Sequence, residues 1–204
     1  TRPGAERVSE AEEIERTIPV ITELAKHGAR ISIDTMRAST AEAAIKAGAS
    51  IINDVSGGLA DPHMLQTAAR LGVPYIAMHW RGQSKDMNSK AIYGDVVSDV
   101  ISELQERVDA ALDAGITAEN LIIDPGLGFA KDADHNWAII DAIDQFVALG
   151  YPVLVGASRK RFLGGDTPDE REQATIDLTK RLAPTGVWAV RVHSVKPHKE
   201  VLAV

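Results

Sequence analysis

Cysteine is absent from the 204 residues, which removes disulfides, a thiolate nucleophile and a cysteine-ligated metal from consideration. Positive charge is in short supply: 22 Lys and Arg face 29 Asp and Glu, a formal net charge of −7. A basic surface for nonspecific nucleic-acid binding is therefore not expected. No apolar run approaches the roughly 20 residues of a membrane span, and no secretory leader opens the chain; the expected setting is the cytoplasm, with no membrane partner. Also missing are a Ser nucleophile elbow, H-E-x-x-H and a Walker loop. These absences turn attention from covalent catalysis by a protein nucleophile to binding and electrostatic catalysis.

What is present is a set of six short apolar runs, each closed by polar residues. They are Ile31-Ser32-Ile33-Asp34, Ile51-Ile52-Asn53-Asp54, Tyr75 to His79, Leu121-Ile122-Ile123-Asp124, Val153 to Ser158, and Val187 to Val192 followed by His193. Continuous Val/Ile/Leu runs are the signature of parallel strands buried on both faces. Helix-length segments with a period near 3.6 lie between them. Ile14, Ile18, Ile21 and Leu24 form one face ahead of Gly28, and Thr40 to Ala47 stops at Gly48. Pro62 to Leu71 runs from a candidate cap at Asp61 to Gly72, and Val96 to Leu112 ends before Gly115. Asn136 to Leu149 closes at Gly150, and Glu170 to Leu182 precedes Pro184. With 45% hydrophobic residues, the chain reads as one domain spanning residues 1–204.

Alternating helix and strand implies parallel crossovers, which suits an open doubly wound sheet or a (β/α)8 barrel. A doubly wound nucleotide fold carries a glycine-rich turn after its first strand, and no strand exit here has G-x-G-x-x-G. Polar residues instead close every strand, as in the ring of loops at the C-terminal face of a barrel. A TIM barrel is the expected fold, with six βα units visible. Thr1-Arg2-Pro3-Gly4 reads as mid-loop, so the first two strands are expected to precede Thr1; without them, sheet edges would be exposed.

The chemistry-bearing residues sit at those strand ends. Asp124-Pro125-Gly126-Leu127-Gly128-Phe129 places a carboxylate before a turn whose glycines let backbone lie close to a ligand; the competing reading is an Asp capping a turn. An ionised Asp only accepts hydrogen bonds, which suits paired N–H donors on a heterocycle. Asp34 and Asn53 add a second carboxylate and an amide, unless they cap the following helices. Ser158-Arg159-Lys160-Arg161 sets three cations after a buried strand, an arrangement fit for phosphate. Arg191 and His193 alternate on the last strand and so share a face, where they would form a second anion clamp. Met78-His79-Trp80-Arg81 supplies either stacking or core packing, and Asp54, Asp132 and Asp134 read as caps or surface.

Taken in order, these blocks resemble the dihydropteroate synthase family. Thr1-Arg2-Pro3-Gly4, Ser32-Ile33-Asp34-Thr35, Ile52-Asn53-Asp54, Met78-His79, Asp124 to Phe129, Ser158 to Arg161 and Arg191-Val192-His193 all match its motifs. The wording of His135-Asn136-Trp137 and Arg161 to Gly164 is nearest to actinobacterial members. The resemblance implies a (β/α)8 barrel that joins 6-hydroxymethyl-7,8-dihydropterin diphosphate to p-aminobenzoate, releasing pyrophosphate. Asp34, Asn53, Asp124 and Lys160 match the family's pterin-binding positions. Arg191 and His193, with Thr1 and Arg2, match groups near the diphosphate; Lys160, Arg191 and His193 are the residues implied in catalysis. Phe129 with Lys160 and Arg161 matches the p-aminobenzoate wall, although many relatives have Ser where Arg161 stands. Mg²⁺ on the substrate diphosphate and a homodimer are further implications. The family's first loop, with its metal-associated Asn, has no counterpart here, so no metal ligand is assigned. Two other readings share the barrel: a pterin-dependent methyltransferase, against which the anion clamps speak, and a noncatalytic pterin binder.

Overall fold

The computed structural model describes residues 8–83 and 87–202. Along the chain these form α1 (Glu10–Lys26), β1 (Ser32–Asp34), α2 (Ala38–Lys46), β2 (Ile51–Asp54), α3 (Met64–Leu71), β3 (Tyr75–Met78), α4 (Val96–Asp113) and β4 (Leu121–Asp124). There follow α5 (Ala133–Asp141), α6 (Ile143–Val147), β5 (Leu154–Val155), α7 (Glu170–Leu182), β6 (Ala189–Val190) and α8 (Val195–Leu202). All six expected strands form. None of the described helices is long and apolar enough to cross a membrane.

Local chemistry sets the helix boundaries. Ser9 caps α1 by accepting from the Glu12 N–H at 3.2 Å, and Asp95 caps α4 through the Ser98 N–H at 2.8 Å. Such caps satisfy N–H groups that a helix start leaves without partners. Asp61 differs from expectation. It accepts from the His63 N–H at 2.9 Å, but its other oxygen takes the Ala38 N–H at 2.8 Å, the first of α2. It thus ties α2 to the loop before α3, which starts later, at Met64. The segment expected as one helix over 136–149 begins earlier, where Asp132 and His135 make a capping box. It then breaks at Ala142 (φ −105°, ψ 23°), and beyond the break Ile143 and Phe146 are buried. Leu24, expected on the buried face of α1, is 45% exposed, whereas Ile21 is buried.

The strands pair in parallel and in sequence order. β1 pairs with β2, β2 with β3, and β3 with β4; a bridge from Ile123 to Val153 leads on to the β5–β6 pair. An open doubly wound sheet reverses its strand order at a switch point. This sheet does not, so right-handed crossovers keep every helix on one side and the sheet curves as the wall of a (β/α)8 barrel. Among the described residues β1 and β6 pair on one edge only, and Ser32 and Asp34 are exposed there.

Alternation along the strands sorts side chains into two layers. Ile33, Ile52, Tyr75, Ala77, Leu121, Ile123, Val153 and Val155 pack outward with Val100, Leu104 and Val108 of α4 and Leu178 of α7. Each fully buried aliphatic side chain there contributes roughly 1.5–3 kcal/mol. The opposite parity gives a separate inner cluster of Ile51, Ile76, Ile122, Leu154 and Ala189, one residue from each of β2 to β6. Two positions further along, the same parity brings Asn53, Met78, Asp124, Gly156 and Arg191 to the barrel mouth, with Asp34 joining from β1. An apolar lumen therefore floors a polar ring.

Candidate active site

The first half of the ring is rich in acceptors. Asp34 and Asn53 are register neighbours, and Asn53 Nδ2 donates to Asp34 Oδ2 at 2.9 Å. Asn53 Oδ1 is buried without a hydrogen-bond partner. Across β3, Asp124 is 1% exposed. Its Oδ1 accepts from the Gly126 N–H at 2.8 Å, whereas its Oδ2 is buried without a hydrogen-bond partner. Buried acceptors are normally satisfied, so two orphaned oxygens converging on one mouth mark a place for donors. Asp34 is reachable from the mouth yet ringed by protein; burial pushes its carboxyl above the usual range, against the pull of nearby Arg191. Met36, Val55, Met78 and Phe129 make an apolar wall beside these groups.

A network beneath this half holds the loop that follows β4. Lys131, 9% exposed, donates to the Gly126 carbonyl at 3.2 Å and the Phe129 carbonyl at 3.1 Å, and meets His79 Nδ1 at 2.9 Å. Three donors on the ammonium find three acceptors, which makes His79 Nδ1 the acceptor and leaves its Nε2–H for Glu103 Oε2, 2.9 Å away. Burial, reinforced by Lys131, pushes His79 down to about 4, so the ring is neutral, as this pattern requires. Glu103 also receives Arg81; although burial opposes it, His79 and Arg81 hold that carboxyl at about 2. Burial brings Lys131 itself down to about 7. The glycines of this loop make room for neighbouring protein. Gly126 has φ 69° and a Cβ there would strike the His79 carbonyl oxygen; one on Gly128 (φ 75°) would lie 2.8 Å from Lys160 Cδ.

The second half is cationic and rides on loops. Lys160 reaches back from the β5 loop to donate to the Leu127 carbonyl, its ammonium 4.7 Å from the Phe129 ring centroid. Burial lowers its pKa to about 8, with Asp124 pulling the other way. Arg191 follows β6, its N–H bonded to the Val155 carbonyl at 2.9 Å, and its guanidinium stands 4.0 Å from Asp124 Oδ2. His193 Nδ1 lies 2.9 Å from Ser158 Oγ, which also accepts the His193 N–H at 3.2 Å.

The structure thus brings Asp34, Asn53, Asp124, Phe129, Lys160, Arg191 and His193 to one mouth. Arg161 is exposed at the head of a 3-10 turn, Arg161–Leu163, and Arg159 pairs with Glu172 at 2.9 Å; of the three adjacent cations only Lys160 enters the ring. Thr1 and Arg2 lie outside the described residues. Asp132 is a cap and Asp134 is exposed, as read, but Asp54 is not surface. It is fully buried and takes four donors, from the Ser56 and Gly58 N–H groups and the Ser56 and Tyr75 hydroxyls. Sequence reasoning missed Lys131 and Glu103. The available signals were a lysine directly after the β4 loop and an acid on the apolar side of α4, one residue before Leu104.

The model of the family described as "Pterin binding enzyme" matches residues 1–193. This chain is a member of that family, among the dihydropteroate synthases. It is 47% identical over 214 residues to the dihydropteroate synthase of Mycobacterium leprae, covering 100% of this chain and 75% of the relative. Against the Bacillus subtilis dihydropteroate synthase the identity is 46% over 200 residues, covering 96% and 68%. Among solved structures, the Xanthomonas albilineans dihydropteroate synthase with 4-aminobenzoic acid superposes with TM-score 0.93 at 38% identity, covering 100% of this chain and 74% of that one. The Yersinia pestis dihydropteroate synthase in a sulfonamide drug complex gives 0.95 at 34%, covering 99% and 74%.

For a metal, the donors present set a limit. Among the described residues no group of three His, Asp or Glu side chains is placed to hold a metal ion, and Lys160 and Arg191 of the second half are cations. A Mg²⁺ cage of protein oxygens is thus not what these synthase residues fit. Mg²⁺ bound mainly through substrate phosphates needs no such cage.

Proposed function

We infer that this chain carries out the dihydropteroate synthase reaction, condensing 6-hydroxymethyl-7,8-dihydropterin diphosphate with p-aminobenzoate to give dihydropteroate and pyrophosphate. The observation that carries the reading is the pair of buried oxygens without hydrogen-bond partners, Asp124 Oδ2 and Asn53 Oδ1, set beside the Arg191 and Lys160 cations. The aminopyrimidine edge of a pterin presents adjacent N–H donors, and an ionised carboxylate accepts two. Asp124 takes that edge, Asn53 and Asp34 bond the rest of the ring, and the wall of Met78, Val55 and Phe129 covers its face.

The diphosphate then points toward Arg191 and His193. Cleavage of the bond between the exocyclic methylene and the diphosphate oxygen leaves positive charge on carbon and adds negative charge to the leaving pyrophosphate. Preset charges and hydrogen-bonding groups aimed at that developing charge lower the barrier, and Arg191, Lys160 and the His193 imidazole are so placed. The p-aminobenzoate amine attacks the methylene and loses a proton to the released pyrophosphate or to solvent; Phe129 and the Lys160 stem provide the flat wall for its ring. Mg²⁺ carried on the diphosphate would offset its charge. A homodimer is proposed on family resemblance.

Pyrophosphate release by the purified protein, given the dihydropterin diphosphate and Mg²⁺ with and without p-aminobenzoate, tests the reading. Release coupled to dihydropteroate formation is expected. Tight pterin binding with no product would contradict it and favour a noncatalytic pterin binder.

A further inference from the structure

Arg159 sits between two residues of the cationic half, Ser158 and Lys160, yet its own charge is directed away from the mouth. Its backbone is left-handed, with φ 60°, a conformation that a residue other than glycine keeps only where surrounding structure enforces it. Four contacts do so. Nε donates to Glu172 Oε2 at 2.9 Å and Nη2 to Ser194 Oγ at 3.0 Å, while the N–H donates to Thr175 Oγ1 at 3.2 Å. Its carbonyl accepts from Arg171 Nη1 at 3.4 Å. Glu172, Thr175 and Arg171 belong to α7, and Ser194 directly follows His193. Behind Glu172 lies buried His198 of α8, with Nε2 3.6 Å from Glu172 Oε1.

Exposed ion pairs contribute little, but this one is different in kind. The two side chains are 29% and 19% exposed, and the guanidinium joins three segments: the β5 loop, the β6 loop and α7. We propose that Arg159 is a positioning residue that locks the β5 and β6 loops onto α7, so that the Ser158–His193 hydrogen bond is set before a diphosphate arrives. The proposal rests on the synthase reading of the site, and Arg159 acts in it without touching substrate. Removing one partner of a part-buried pair leaves the other charge uncompensated, and the left-handed turn then loses what holds it.

The test compares Glu172→Gln, Arg159→Ala and Arg159→Lys in the protein as it occurs in the cell, with three readouts: kcat/KM for the dihydropterin diphosphate, affinity for pyrophosphate with Mg²⁺, and affinity for 6-hydroxymethylpterin lacking the diphosphate. Glu172→Gln and Arg159→Ala should lower kcat/KM and pyrophosphate affinity by about 10- to 100-fold, the scale of a small misplacement of catalytic groups. Affinity for the bare pterin should stay within about twofold, since Asp124 and Asn53 are held by separate contacts. Arg159→Lys, which restores the charge toward Glu172 but not the bond to Ser194, should recover part of the loss. If Arg159→Ala does not fold, the near-isosteric Glu172→Gln and Arg159→Lys decide the matter. Equal weakening of both probes would indicate a merely structural role and overturn the proposal, as would variants within twofold of the parent. Lack of synthase activity in the unaltered protein would refute the site reading and the proposal with it; normal parent turnover with unaffected variants would refute the proposal alone.

Discussion

The acceptor half and the cationic half of the ring are built differently. Asp34 and Asn53 are register neighbours at the ends of strands of three and four residues, and Asp124 ends β4 beside its own register partner Met78. Lys160 and His193 sit on loops after strands of only two residues, fixed by side-chain bonds to Leu127 and Ser158. Strand-borne groups keep their geometry through the sheet, which suits recognition of a rigid ring. Loop-borne groups depend on tethers, and a flexible, strongly charged diphosphate tolerates that arrangement better. Arg191 stands at the border, 4.0 Å from Asp124, and belongs to both.

The most severe break in this comparison is Asp124→Ala, which should reduce kcat/KM by about 1,000-fold, because a buried site that hydrogen-bonds its substrate discriminates steeply when the partner is lost; steady-state kinetics measure it. His193→Ala should lower kcat by roughly 100-fold, the scale of one lost electrostatic contact to a developing anion, with pterin affinity little changed. Lys160 sharpens the contrast through pH. With its pKa lowered to about 8, it is charged below that pH and neutral above it, so kcat/KM should fall as pH rises through about 8. In Lys160→Arg that basic limb should vanish from the pH–rate profile, because an arginine does not deprotonate there. Tyr75→Phe removes one of four donors from buried Asp54 and should cost about 1–3 kcal/mol of stability by denaturant unfolding, with pterin affinity retained. The smallest effect is expected from Arg161→Ala, about twofold or less in KM for p-aminobenzoate, the scale of an exposed surface substitution. A loss beyond tenfold would put Arg161 back into the site.

The same contrast marks what the sequence makes legible. Asp34, Asn53 and Asp124 stand out because a strand buried on both faces is an unbroken apolar run, and a polar residue ending it has few places to point but the mouth. Arg191 and His193 stand out through alternation. The supports are hidden because their partners are distant in sequence: Lys131 meets His79 from 52 residues away and Glu103 meets it from 24. A lysine directly after the β4 loop is a weak signal, because solvated lysines occupy such places as well. The cations from Arg159 to Arg161 read as one clamp, but the left-handed turn at Arg159 sends its side chain to Glu172 and leaves Lys160 alone in the ring. Asp54 and Asn53 are adjacent in an alternating strand, so one faces the mouth and the other the hydroxyl of Tyr75, a division that depends on register.

The most direct test is calorimetric titration of Asp124→Ala with 6-hydroxymethylpterin and, separately, with pyrophosphate and Mg²⁺. The division of labour between the two halves predicts that pterin binding disappears while pyrophosphate still binds with undiminished affinity, since loss of Asp124 only removes a negative charge beside Arg191. Retained pterin binding, or loss of both ligands in a folded variant, would contradict it.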